Sequence, residues 1–311
     1  MSPPFVPCYL AGQTGSGKTE VALAIAERLS PVEIVNADAF QIYRRLDVLS
    51  AAPTPLERAV VPHHLFGNLE VSEECDAAAF SKLAHSTIEG IAPRATPLIV
   101  GGSGLYLKAI THGLAPTPKG DPELREQLDQ WSFDVLVNRY REVDPIGAEQ
   151  TNLKNRRYVT RNLEICLLTG KPASELKSQW ERNQPDICAF YLSRSREDIY
   201  ERINRRTRAM FEAGVVEEVA GLSVISGTAA KAIGLAEIRA LLRGEMSEGN
   251  CIEEIQKATR RYAKRQETWF RRESEFVPVP VAPDESADTV AEKILEEAVP
   301  RISELRKRSE S

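Results

Sequence analysis

No stretch of this 311-residue chain approaches the ~18 consecutive apolar residues that a membrane-spanning helix needs, which excludes a transmembrane role. Cysteine is scarce and scattered. Cys8, Cys75, Cys166, Cys188 and Cys251 form no C-x-x-C pair, which argues against a disulfide framework and against a zinc site, and suits a reducing cytoplasm. Of four histidines only His63 and His64 are adjacent, while His85 and His112 are remote; the spacing fits no metal and reads as packing or loop ordering. Trp131, Trp180 and Cys166 read as packing residues. Residues 1–10 lack a basic n-region and run into a strand-like stretch, so a signal peptide is not expected. There is no internal repeat, no low-complexity tract and no excess of positive charge: the net charge is −5. Such a balance ordinarily counts against a nucleic-acid partner, but a basic face can coexist with an acidic remainder.

What the chain does have is a core-forming composition, 42% hydrophobic and 27% charged, ordinary for a soluble globular protein. Short apolar runs at residues 5–11, 32–37 and 97–100 alternate with helical periodicity at 18–29 and 76–91. Strands alternating with helices predict a mainly parallel, doubly wound α/β sheet. Residues 121–183 show helical patterns only, and a strand-like run at 187–192 then precedes a charged helix at 196–212. Helices at 229–242 and 247–272, a strand at 276–281 and a terminal helix at 287–306 complete the reading. The expected organisation is an α/β core from residues 1–120 and 184–311, P-loop NTPase-like, carrying a helical insertion at 121–183.

Gly12-Gln13-Thr14-Gly15-Ser16-Gly17-Lys18-Thr19 matches G-x-x-x-x-G-K-[ST] without a gap, between a predicted strand and a predicted helix. The glycines let backbone N–H groups turn inward around phosphate oxygens, and the helix N-terminus adds a favourable dipole. Lys18 supplies a cation and the Thr19 hydroxyl is a candidate Mg²⁺ ligand. Most proteins with this loop bind nucleotides, ATP above all, and hydrolyse or transfer their phosphates. A hydrolase wants an apolar strand ending in Asp to hold the metal and position water. Here the strand at 97–100 ends in Gly101-Gly102-Ser103-Gly104, with no carboxylate, which weighs against ATP hydrolysis.

A carboxylate does follow the second strand. Asp38 sits at the carboxyl end of that strand, the edge where ligands bind in open α/β sheets. It is suited to take a proton from an amine while diphosphate leaves; standing alone it would read as a strand-end or N-cap aspartate. Gln41, three residues on, is able to pair bidentately with an adenine edge. Basic residues crowd three segments: Lys154, Arg156, Arg157 and Arg161; Arg194 through Arg208; and Lys257 through Arg272, the last interleaved with Tyr262, Trp269 and Phe270. Guanidinium groups pair with phosphate and aromatic rings stack on unstacked bases, whereas each cluster alone is as well read as a solvated helix face.

Several stretches in order resemble the tRNA dimethylallyltransferase (isopentenyltransferase) family, bacterial type. They are Gly12–Thr19, Asn36-Ala37-Asp38-Ala39-Phe40-Gln41-Ile42-Tyr43-Arg44, Val61-Pro62-His63-His64-Leu65, Gly101-Gly102-Ser103-Gly104-Leu105-Tyr106, Leu168-Thr169-Gly170-Lys171-Pro172, Ala232-Ile233-Gly234 and Arg261-Tyr262-Ala263-Lys264-Arg265-Gln266-Glu267-Thr268-Trp269-Phe270. The resemblance implies dimethylallyl diphosphate as donor, Mg²⁺, and, as acceptor, the exocyclic amine of the adenosine 3′-adjacent to the anticodon of a tRNA. It implies that Gly12–Thr19 hold the diphosphate, that Asp38 is the general base, and that Lys18, Ser103 and Arg206 complete the catalytic set. Implied tRNA contacts are Asp38, Ala39, Phe40, Gln41, Ser103 and Arg125; Arg157, Tyr158, Val159, Thr160 and Arg161; Lys231, Ala232, Ile233, Gly234, Leu235 and Ala236; and Lys264, Arg265, Gln266, Glu267, Thr268, Trp269, Phe270 and Arg271. A cytoplasmic monomer is expected, acting on the tRNA anticodon stem-loop. Competing readings are a small-molecule kinase or nucleotide hydrolase, a prenyltransferase of free adenine nucleotides, and a non-catalytic RNA-binding module.

Overall fold

A computed structural model describes residues 5–181 and 185–310. The expected boundary at 183/184 and residues 1–4 lie outside the described residues, as does the side chain of Trp180. The chain forms two compact units, Met1–Thr111 with Asp186–Ser311, and His112–Pro185.

In chain order the first unit begins with β1 (Cys8–Gly12), α1 (Lys18–Arg28), β2 (Val32–Asn36), α2 (Pro55–Val60), β3 (His63–His64), α3 (Ala77–Ile91), β4 (Thr96–Gly101) and α4 (Gly104–Thr111). The second unit is helical: α5 (Pro122–Asp129), α6 (Phe133–Val143), α7 (Pro145–Gln150), α8 (Arg156–Thr169) and α9 (Ala173–Glu181). The first then resumes with β5 (Cys188–Ser193), α10 (Arg196–Glu212), α11 (Val215–Ala220), α12 (Leu235–Leu242), α13 (Glu248–Phe270), β6 (Val277–Pro280) and α14 (Ala287–Glu310).

The six strands form one parallel sheet in the order β3-β2-β4-β1-β5-β6. Residues of β1, β2 and β4 are buried throughout, as expected for parallel strands covered on both faces. One face packs Val21 and Ile25 of α1 with Val290 and Ile294 of α14; the other packs Phe80 of α3, Leu107 of α4, Ile238 of α12 and Ile255 of α13. From β1 the chain runs to one side of the sheet, and from β4 to the other. The carboxyl end of β1 is therefore the switch point of the topology, where a crevice opens for a ligand. In the helical unit Leu128, Leu136, Tyr140, Val159 and Leu163 make the core.

Four features depart from the sequence reading. A single helix at 229–242 is expected, but the structure has one 3-10 turn at Ala229–Lys231 and then α12. The break lies at Gly234, φ 99°, where an added Cβ would meet Leu49 Cδ1 at 2.9 Å. His63 and His64 form β3 and pair with Ile34 and Val35, the His64 ring nitrogen lying 2.6 Å from buried Glu33. Trp131 is 37% exposed rather than buried in packing, whereas Cys166 is buried and accepts from the Ala173 amide. The short helices α2, α4 and α11 carry too few turns to show a period in the sequence.

Candidate active site

Gly15 and Gly17 adopt φ of 84° and 89°, a left-handed backbone that residues with a Cβ rarely adopt, and between them the chain turns from β1 into α1. Gly17 is the N-cap of α1 with no side chain capping it, so first-turn amides face the crevice as an anion cradle. Lys18 Nζ donates to the carbonyls of Gly12 (3.1 Å) and Gln13 (2.8 Å). Burial lowers the Lys18 pKa to about 8; nearby Asp38 works against this shift and nearby Arg206 adds to it. The Ser16 hydroxyl is buried with no partner, and so is Nε of Arg206.

Two helices far along the chain grip this loop. From α10 and the residues before it, Arg194 Nε donates to Ser16 O (2.9 Å), Arg202 Nε to Gly15 O (2.7 Å), and Arg206 Nη2 to Thr14 Oγ1 (2.5 Å). From α13, the side chain of Gln266 accepts from the Thr14 amide (2.9 Å) and donates to Gly102 O (2.8 Å), while Gln13 Nε2 donates to Ala263 O (3.0 Å). Arg206 is flanked by Asp38, which opposes the lowering of its pKa that burial causes.

Asp38 follows β2 directly. Its amide donates to Asn36 Oδ1 (2.7 Å) and its Oδ1 accepts from the Phe40 amide (2.9 Å), so a tight turn fixes the carboxylate. Buried Asn36 also donates to Leu65 O (2.9 Å), tying this turn to the chain after β3. Ser103 Oγ accepts from the Ala39 amide (3.0 Å), bringing the ends of β2 and β4 together. At Gly101 an added Cβ would stand 2.2 Å from Ala37 O. Contact with Ala37 thus leaves no room for a side chain at Gly101, the last residue of β4, and Asp38 supplies a carboxylate at this edge.

A cavity of about 500 Å³ joins these groups. Thr14, Lys18, Thr19, Arg202 and Arg206 give it a cationic, donor-rich side; Ala22, Ile34, Phe66 and Val100, which belong to one apolar cluster, give it an oily side; and Asp38 also lines it. The oxygens of Thr19, Asp38 and Glu20 on its wall are hard donors that fit a Mg²⁺ ion.

The structure brings Lys18, Thr19, Asp38 and Arg206 to this cavity, with Ser103 just behind Ala39. It corrects several expected RNA contacts. Gln266 is 5% exposed, and its amide holds the phosphate loop. Val159, Ala232, Gly234, Leu235 and Phe270 are buried too, Phe270 stacking on Tyr191 with centroids 4.6 Å apart. Gln41 lines the cavity, and its Nε2 donates to Ser50 O (3.2 Å) and Ala51 O (3.0 Å), pinning the cavity wall. In the helical unit Arg125 and Arg161 both bind buried Glu164, and Thr160 Oγ1 is buried, whereas Arg157 and Tyr158 are exposed. Lys231, Ala236, Lys264, Arg265, Thr268 and Arg271 are exposed, and Ile233, Glu267 and Trp269 half-buried. Arg194 and Arg202 did not stand out in the sequence as loop partners. Their signal is a four-residue spacing, Asp198-Arg202-Arg206 along one face of α10, with Arg194 four residues before Asp198.

A sequence model of the IPP transferase family matches residues 41–273. The tRNA dimethylallyltransferase of Akkermansia muciniphila is 44% identical over 290 residues, covering 93% of this chain and 98% of the relative. This chain belongs to the tRNA dimethylallyltransferase family. As a member of that family it is an enzyme, a prenyltransferase. A family structure, the full-length tRNA isopentenylpyrophosphate transferase of Bacillus halodurans, superposes with a TM-score of 0.73 at 30% identity, covering 98% of this chain and 99% of that one. A eukaryotic dimethylallyltransferase solved acting on tRNA shares the fold of this chain, with TM-score 0.74 at 23% identity, over 96% of this chain and 77% of that one.

Proposed function

We propose that this chain transfers the dimethylallyl group of dimethylallyl diphosphate to the exocyclic amine of the adenosine 3′-adjacent to the anticodon of a tRNA. One observation carries the reading: a single cavity presents a cationic anion cradle, an apolar wall and one fixed carboxylate. That combination suits an allylic diphosphate better than a nucleoside triphosphate, because β4 ends in Val100-Gly101 and leads into Gly102-Ser103-Gly104, with no carboxylate to hold a metal and position water. The bond formed joins the adenine nitrogen to the allylic carbon, the bond broken joins that carbon to diphosphate, and the amine proton passes to Asp38. Negative charge growing on the leaving group meets the loop amides, Lys18 and Arg206, already oriented before reaction. Mg²⁺, held by the Thr19 hydroxyl and the diphosphate oxygens, would supply further charge neutralisation there. A base inside a folded anticodon loop must leave its stack to reach Asp38. The exposed cations Arg261, Lys264 and Arg265 of α13, with Arg272 just past its end, support an RNA partner, as do Arg157 and Tyr158 of the helical unit. Five free cysteines support a cytoplasmic setting, and among the described residues no helix is long and apolar enough to cross a membrane. The acting form is proposed to be a monomer.

The test is incubation of purified protein with labelled dimethylallyl diphosphate and unmodified anticodon stem-loop RNA, beside ATP and AMP controls. Label is expected in the RNA alone. Turnover of ATP without prenyl transfer would establish the kinase or hydrolase reading instead.

A further inference from the structure

We infer that Arg202 is a positioning residue that sets the anion affinity of the phosphate loop from outside the loop motif; this rests on the reading above. Asp198, Arg202 and Arg206 follow one another at four-residue steps, slightly more than a helical turn, so they line one face of α10, and Arg194 stands just before its N-cap, Ser195. The three guanidinium groups reach three consecutive loop residues in reverse order: Arg194 to Ser16, Arg202 to Gly15, Arg206 to Thr14. In a trans peptide the carbonyl of one residue and the N–H of the next point in opposite directions. Holding Ser16 O therefore aims the Gly17 N–H away from Arg194. Holding Gly15 O aims the Ser16 N–H at Gln13 O, a 3.1 Å bond that closes the turn. Glycines at 15 and 17 leave these peptide planes free to rotate, so the orientation must come from elsewhere.

The two carbonyl-holding arginines differ in surroundings. Arg194 is braced by Asp198 (2.8 Å) and Ala282 O (2.9 Å), with its side chain almost wholly buried. Arg202 lines the cavity and lies against the loop as far as Gly17, where an added Cβ would be 3.3 Å from its Nη2. Burial and the neighbouring Arg194 both disfavour its charge, a cost that a bound anion removes. Lysine cannot replace it, because the planar fork places Nε on the carbonyl while its other nitrogens face the crevice.

Inorganic pyrophosphate binding measured by calorimetry, with kcat and KM for dimethylallyl diphosphate, tests this on Arg202→Gln and Arg202→Lys. Both variants should bind pyrophosphate ~10–100-fold more weakly and raise KM likewise, while kcat at saturating donor changes by less than ~3-fold. Full recovery in Arg202→Lys would reduce the residue to a bare charge and overturn the proposal. So would a fall in kcat with KM unchanged, or unaltered pyrophosphate affinity in both variants. If Arg202→Gln melts well below wild type, Arg202→Lys and faster hydrogen exchange of the loop amides at 12–19 carry the decision. Wild-type protein that bound no pyrophosphate would instead bring down the reading of the site itself.

Discussion

Asp38 and Lys18 face one cavity but have separable tasks, and single substitutions should separate them. Removing a general base commonly slows a reaction by ~10²–10⁴-fold, so Asp38→Ala should lose that much kcat in the RNA prenylation assay while pyrophosphate affinity stays near wild type. Equal loss of binding and rate would deny it the base role. On the proposed reading Lys18 meets both bound diphosphate and the leaving group, so in Lys18→Ala KM should rise and kcat should fall together. Gly101→Ala tests the backbone contact at the end of β4. Its methyl meets the oxygen, carbonyl carbon and Cβ of Ala37, and overpacking of that kind costs about 1–3 kcal/mol, read as a lowered Tm. At this scale the sequence is legible wherever chemistry and spacing are local, as in Gly12–Thr19 and Asp38. Arg202, Gln41 and Gln266 escape it because their partners lie far along the chain or in a loop whose course no motif records: Gly15 for the first, Ser50 for the second, Thr14 and Gly102 for the third.

Helix α8 shows how an element can hide a structural task in charged residues that look available for RNA. Glu164 is fully buried, with Arg161 at 2.5 Å, Arg125 at 2.9 Å and the Asp121 amide at 2.7 Å. Burial pushes its pKa up, but hydrogen bonds from Arg161, Arg125 and Asp121 outweigh that and hold it below the ordinary carboxylate range. Folding is thus stabilised by its charge above the unfolded-state pKa of ~4.3, and that contribution fades as pH falls through the lower folded value. Glu164→Gln should cost about 2–3 kcal/mol at pH 7, less than for a sealed pair because Arg125 is half exposed, and the deficit should shrink in acid. Urea titrations of both proteins at neutral and acid pH measure it; a deficit independent of pH would remove the carboxylate's charge from the explanation. Long periodic elements such as α3, α10 and α13 are readable from sequence because each buries one repeating stripe. The break at Gly234 is not, since it is dictated by Leu49 from another segment, and β3 is not, since two histidines carry no strand signal.

Taken whole, the molecule is net acidic, −5, yet it keeps its cations where two kinds of phosphate would sit. Guanidiniums converge on the loop, while Arg261, Lys264 and Arg265 remain exposed on α13, the same helix whose inner face holds that loop through Gln266, and Arg272 is exposed just past its end. The outer cations should therefore govern RNA affinity without touching donor affinity. Each phosphate neutralised releases counterions, so the paired change Lys264→Ala and Arg265→Ala should weaken stem-loop binding and reduce the slope of log K against log salt by ~2, one per lost contact. Pyrophosphate affinity and kcat at saturating RNA should remain near wild type, because neither side chain reaches the cavity. An unchanged salt slope would place the RNA on another surface and leave this row of charges as a solvated helix face, the reading each cluster supports when taken alone.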